Sequence, residues 1–208
     1  MTDARLYGNA VERNVDPILS ALRQVLSPSG SLLEIASGSG QHVLHFAAGL
    51  PAWVFQPSDH DPAALASIDA WAAERRLPNV RPAIRLDAAS DDWPAAPVDV
   101  VLCINMVHIA PWAATIGLFR AAARIVRPGG MLVLYGPFLR DGIPTAEGNI
   151  AFDADLRARD PGSGSGWGLR RLEDLVTLAA AFAPPEITPM PANNLVVVFR
   201  REAAPIPP

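Results

Sequence analysis

Apolar positions along this 208-residue chain follow two rhythms: short continuous runs, and longer stretches with apolar residues three or four apart. Val11 to Leu26 has helical spacing, with Pro17 placed to start or kink the helix. Ser31 to Ala36 is a strand that passes through glycines into a helix from Gly40 to Ala48. Ala52 to Gln56 is a second strand, followed by a helix from Pro62 to Arg76 with Asp61 as its N-cap. Arg81 to Leu86 is a third strand. Val98 to Ile104 is the near-continuous apolar run expected of a central parallel strand. A helix from Trp112 to Val126 stops at Arg127-Pro128-Gly129-Gly130, and Met131 to Tyr135 is the fifth strand. Two more helices, Ile150 to Arg159 and Leu172 to Phe182, precede strands at Glu186 to Pro191 and Leu195 to Arg200. These last strands meet across Asn193-Asn194, residues that tolerate the positive φ of a hairpin turn. The alternation predicts an α/β fold: a mostly parallel seven-stranded sheet with a C-terminal antiparallel hairpin and helices on both faces.

With 50% hydrophobic and 18% charged residues, the chain has material for one sizeable core. A single domain over residues 1–208 is expected. Within it, 1–30 form a leading helical segment, 31–136 the core, 137–170 a lid or substrate loop, and 171–208 a helix with the terminal hairpin. The formal net charge is -4, and the arginines are scattered in pairs such as Arg75-Arg76 and Arg170-Arg171, so the basic stripe of a nucleic-acid surface is missing. The first residues lack the apolar core of a signal peptide, and the most apolar stretch is broken by Asn105, His108 and Pro111. These features predict no membrane span and a cytoplasmic location. The single cysteine, Cys103, reads as a small core residue. His42 and His45 share a helix face without an evident third ligand, and His60 beside Asp59 and Asp61 has no stronger claim, so no metal site is expected.

The chemistry concentrates at Leu32 to Ala47. An apolar strand ends in Glu34-Ile35-Ala36-Ser37-Gly38-Ser39-Gly40 and becomes a helix, leaving bare backbone at a helix N-terminus where a nucleotide-like ligand can lie. Gln41, His42 and Val43 follow Gly40, so the third glycine of a dinucleotide fingerprint is missing, and no Gly-Lys-Ser/Thr marks a P-loop. A nicotinamide-dependent oxidoreductase is correspondingly disfavoured.

This turn resembles the first motif of class I S-adenosylmethionine-dependent methyltransferases, with Ala36 where that family often has glycine. The Arg-Pro-Gly-Gly segment and the closing hairpin are similar to that family too. More narrowly, almost the whole chain resembles the poorly characterised group related to methyltransferase-like protein 26. That resemblance rests on Glu12-Arg13-Asn14, Gln56-Pro57-Ser58-Asp59, Asn105 to Trp112, Tyr135-Gly136-Pro137, Phe152-Asp153 to Asp160-Pro161, and Met190 to Asn194.

The resemblance implies a Rossmann-like fold that binds S-adenosylmethionine, releases S-adenosylhomocysteine and methylates a small molecule. Ala36, Ser37, Gly38 and Gly40 would shape the cofactor turn, and Glu34 would meet the cofactor's ammonium group. Asp59 would accept from the ribose hydroxyls, with Gln56 as the competing contact. Asp87 would receive the adenine amino group or serve only as a cap, and Asn105 would offer acceptors to adenine or substrate. Arg13 would pair the cofactor's carboxylate or simply be an exposed helix charge. Asn14 and Tyr135 would line the acceptor pocket, although Tyr135 also reads as a strand-end aromatic. His108 would act as base toward an oxygen nucleophile, or only pack beside the cofactor. Asn-Met-Val-His differs from the Asn-Pro-Pro-Tyr signature of many amide and base N-methyltransferases, which further disfavours nucleic-acid bases. The competing reading is a non-catalytic cofactor-binding or partner-binding subunit.

Overall fold

A computed structural model describes residues 3–8, 11–160 and 166–202. Seven strands make one sheet: β1 (Gly30–Ile35), β2 (Trp53–Asp59), β3 (Ile84–Arg85), β4 (Val98–Ile104), β5 (Val126–Gly136), β6 (Glu186–Met190) and β7 (Asn194–Arg200), in the order β3-β2-β1-β4-β5-β7-β6. β1 to β5 pair in parallel, whereas β7 runs antiparallel to β5 and β6 antiparallel to β7. The chain progresses outward from β1 to β3 and then restarts on the other side at β4. Such a reversal leaves a crevice beyond the carboxyl ends of β1 and β4.

Helices cover both faces because successive strand residues point to opposite sides. Leu32, Phe55, Val100 and Val133 pack under α1 (Val11–Val25), α2 (Gln41–Gly49) and Trp71 of α3 (Pro62–Arg75). Leu33, Val101, Leu132 and Val197 face α4 (Trp112–Ile125) and α6 (Leu172–Leu178). The remaining helix, α5 (Glu147–Arg159), lies in the long connection after β5. Pro161 to Ser165, the centre of the glycine/serine stretch read from sequence as part of a lid or surface loop, lie outside the described residues.

Several boundaries differ from the pattern-based ones for identifiable reasons. β2 runs on through Pro57 to Asp59, so Asp59 ends the strand instead of following it. The Pro57 carbonyl is taken by the Gln56 side chain, and β3 pairing starts only at Ser58, so the missing N–H falls where little ladder exists to lose. β3 shrinks to two residues because Pro82 breaks its first half, although Arg81 N–H still reaches Phe55 O at 2.9 Å. β5 begins five residues early. Its Arg-Pro-Gly-Gly segment forms a bulge against β4, tied to Arg201 through the Gly129 N–H and the Gly130 carbonyl. α5 starts three residues early, at Glu147, and α6 ends at Leu178. In the hairpin, the positive φ angles fall on Ala192 and Asn193, one residue earlier than expected, while the Asn194 amide donates to Pro191 O. Pro17 lies inside α1 without ending it.

Candidate functional site

The glycine turn is held from beneath by the end of β2. Ser37 N–H donates to Ser58 O at 2.8 Å, Ser58 Oγ donates to Glu34 O at 2.7 Å, and Gly38 N–H donates to Asp59 Oδ2 at 2.9 Å. Three residues in the turn take left-handed backbone: Ala36 (φ 56), Gly38 (φ 56) and Gly40 (φ 86). At Ala36 this conformation is strained, which supplies a physical reason for glycine at that place in the resembled motif. Ala36→Gly is expected to stabilise the protein by about 1 kcal/mol, read as a higher urea midpoint at unchanged slope.

Glu34 is 2% exposed, and its Oε2 has no partner among the described residues. Burial, with a smaller contribution from the nearby Asp59 carboxylate, pushes its carboxyl up to about 8 against a partial offset from the Ser37 hydroxyl. An acid held this way keeps its proton at neutral pH and is a ready partner for a cation.

A cavity of about 440 Å³ opens beyond the strand ends, within the size range of small-molecule sites. Ala36, Gly38, Asp59, His60 and Asp87 line it beside an apolar wall that includes Leu86, Ile104, Met106 and Ala114. Asp59 is nearly buried, and its other oxygen accepts from Asp61 N–H at 3.0 Å. Asp87 is exposed and accepts from Ala89 N–H at 2.9 Å. Gln56 points elsewhere: its amide donates to Pro57 O and, at 2.8 Å, to Pro82 O. Arg13 is exposed on α1. Gly117 was not singled out by sequence. A Cβ there would collide with the Ala88 carbonyl, so this glycine lets α4 support the Asp87 to Ala89 turn of the cavity wall. A helical glycine with no neighbouring motif carries no sequence signal of that role.

After β4, Asn105 takes left-handed backbone (φ 59) and begins a 3-10 turn over Met106–His108, its N–H donating to Tyr135 O at 2.9 Å. His108 is 1% exposed. Its Nδ1 accepts from Arg170 N–H at 3.2 Å, so in the neutral ring Nε2 keeps the proton. Burial and the neighbouring Arg170 cation push this imidazole down to about 3. Nε2 faces Gly136, where a side chain would strike it, and has no partner among the described residues. This arrangement makes His108 a donor rather than the base that its residue type suggested. The irregular stretch from Gly166 to Arg170 fastens over it: Gly168 N–H donates to His108 O, and the Arg170 guanidinium donates to Val107 O and Ala110 O.

Asn14 and Tyr135 are brought together on the other face of the sheet, where both are buried. A third residue joins them. His42 Nε2 lies 2.8 Å from Asn14 Oδ1, whereas His45 pairs with Asp16. The described residues contain no group of three or more His, Cys, Asp or Glu side chains placed to hold a metal ion. None of the described helices is long and apolar enough to cross a membrane.

A family model described as "Protein of unknown function (DUF938)" matches residues 5–201. The chain belongs to the DUF938 family. Among solved structures, it superposes on an O-methyltransferase family protein from Burkholderia thailandensis with a TM-score of 0.76 at 16% identity, covering 94% of this chain and 58% of that one. The S-adenosylmethionine-dependent methyltransferase SibL gives 0.76 at 20% identity, covering 92% and 55%. An O-methyltransferase family 2 protein from Planctomyces limnophilus, in complex with apigenin, gives 0.73 at 17% identity, covering 92% and 60%. The DUF938 chain thus has the class I methyltransferase fold, and it spans a little over half the length of these structures.

Proposed function

We propose that this protein is an S-adenosylmethionine-dependent methyltransferase acting on a small molecule. The observation that carries this reading is the cavity at the switch point, with the buried Glu34 carboxyl at its turn, whose Oε2 has no partner among the described residues, and Asp59 on its wall. The methyltransferases that share the fold support it, as does the resemblance to the methyltransferase-like protein 26 group. When bound, S-adenosylmethionine supplies a methyl group on a positively charged sulfur, so the protein's task is alignment and exclusion of water. Glu34 would answer the ammonium group, Asp59 would take the ribose hydroxyls, and the apolar wall from Leu86 to Ala114 would cover the adenine, with Asp87 at its edge. Asn105 and the backbone around it would border the reacting end. Acceptors that do not need a buried base, such as acidic phenols, fit the donor state of His108.

A second reading, a cofactor-binding subunit without turnover, is favoured by the sealed position of the same His108. Calorimetry with S-adenosylhomocysteine and NAD, followed by a methylation screen of metabolite extracts with labelled cofactor, separates the readings. Binding of S-adenosylhomocysteine but not NAD is expected, together with a methylated product; binding without any product would favour the subunit. Asp59→Asn keeps an acceptor for Gly38 N–H, removes the charge offered to the ribose and sets an NH2 against the Asp61 N–H that the other oxygen accepts. It is expected to weaken S-adenosylhomocysteine by about 1–3 kcal/mol, with a melting temperature lowered by the one lost acceptor. Full affinity in a folded Asp59→Asn protein would remove Asp59 from the ribose site.

A further inference from the structure

A second cavity, of about 250 Å³, shares no lining residue with the one at the strand ends. Three arginines line it, Arg157, Arg170 and Arg171, together with Trp112 and the apolar side chains of Leu139 and Leu169. Its one lining carboxylate, Asp174, is exposed. Arg157 is paired with Asp153 and Arg171 with Asp141, whereas Arg170 has no ion-pair partner among the described residues. The half-buried Arg170 guanidinium spends its side edge on neutral backbone, Nε donating to Val107 O at 2.8 Å and Nη2 to Ala110 O at 2.9 Å. One of its faces lies over the Trp112 ring, 5.3 Å from the centroid. Burial and then the Arg157 cation work against its charge, and the opposing pull of Asp153 is smaller. A guanidinium does not shed its proton to relieve that cost, so the charge stays and lacks a counter-ion. Its end-on edge is free: Nη1 makes no hydrogen bond among the described residues, and it is not sealed from access as His108 Nε2 is. Two parallel N–H groups on that edge match the two oxygens of a carboxylate or phosphate.

We propose that this cavity binds a small oxyanion, the carboxylate or phosphate group of a second ligand, through the end-on edge of Arg170, with the Arg157 and Arg171 cations beside it. The side edge of Arg170 keeps its bond to Ala110 O, and Ala110 lines the cavity at the strand ends. An anion that fixes Arg170 therefore braces a wall of that first cavity without entering it.

Inorganic phosphate and acetate are the probes, each titrated into the full chain at an ionic strength held constant with sodium chloride. The readouts are the 15N–1H resonances of Arg170 Nε and the Trp112 indole, identified as the signals missing from Arg170→Lys and Trp112→Phe. At least one probe is expected to shift both signals to saturation; phosphate alone assigns a phosphate ligand, and acetate alone a carboxylate. Arg170→Lys keeps the charge but loses the fork, so about tenfold weaker binding is expected. Asp174→Asn, which removes the opposing carboxylate, is expected to tighten binding about threefold, and Arg157→Gln to weaken it by about as much. Arg127→Gln removes an equal charge from the β5 bulge, where Arg127 pairs with Asp99, and is expected to change nothing. Failure of both probes to shift the two signals overturns the site. Equal weakening by Arg127→Gln and Arg157→Gln also overturns it, since binding would then follow net charge alone. If Arg170→Lys does not fold, the Trp112 signal in the Asp174, Arg157 and Arg127 variants decides. No S-adenosylhomocysteine is needed, so the outcome is independent of the methyl-transfer reading.

Discussion

Gly40→Val is expected to lower the unfolding free energy by about 2–6 kcal/mol and to abolish S-adenosylhomocysteine binding, combining backbone strain with overpacking. Gly40 caps α2 with φ 86, a conformation that a β-branched residue adopts only under strain. A side chain there would stand 3.0 Å from Cα and Cγ1 of Ile68, which is fully buried on α3. Backbone cannot swing aside as a flexible side-chain tip would. α2 and α3 must therefore separate, and the Ser37 and Gly38 amides that shape the cavity move with them. Gly38→Ala is the control, because a Cβ at Gly38 meets nothing within 4 Å. It should fold with a loss of about 1–2 kcal/mol from its left-handed backbone alone. Urea unfolding of both variants measures the difference, and a wild-type midpoint for Gly40→Val would refute the close-packing account.

Glu34 should make the ligand-free protein less stable as pH rises. The carboxyl titrates near its ordinary value of 4.5 when unfolded and at about 8 when folded, so between those values the folded state holds a proton that the unfolded state has lost. Stability from this group is complete below about pH 4.5 and is lost as pH climbs through about 8. The full loss is at most about 5 kcal/mol from the difference between the two values. Glu34→Gln, isosteric and uncharged, should abolish this dependence and melt higher than wild type at pH 9. It should also bind S-adenosylhomocysteine more weakly, having no charge for the ammonium group, so that stability and binding move in opposite directions. Thermal melts from pH 5 to pH 9 test the first part. Parallel curves for wild type and Glu34→Gln would show that Glu34 is already ionised in the folded protein.

The sequence by itself determined the class of fold and the location of its turn. Continuous apolar runs at Leu32 and Val98 demand burial on both faces, which a parallel sheet between helices provides. Glu34, Gly38 and Gly40 are legible because a sharp strand-to-helix turn requires left-handed backbone within a few consecutive residues. The pairing of distant side chains was not legible, because it depends on which strand ends adjoin. On the chain, Gln56 competed with Asp59 for the ribose; in the folded protein, the extension of β2 through Pro57 puts Asp59 under Gly38 N–H, while Gln56 turns to Pro82. On the chain, His108 could be a base or only pack beside the cofactor; in the folded protein the backbone N–H of Arg170, 62 residues away, donates to its Nδ1. Gly40 looked like a ligand contact, but the packing of α3 gives that place to Ile68 and leaves Gly38 on the cavity. His42 became a partner of Asn14 only when α1 packed on α2. Local backbone demands are written in neighbouring residues, whereas protonation state and side-chain direction are decided by atoms that only the tertiary fold brings within hydrogen-bonding range.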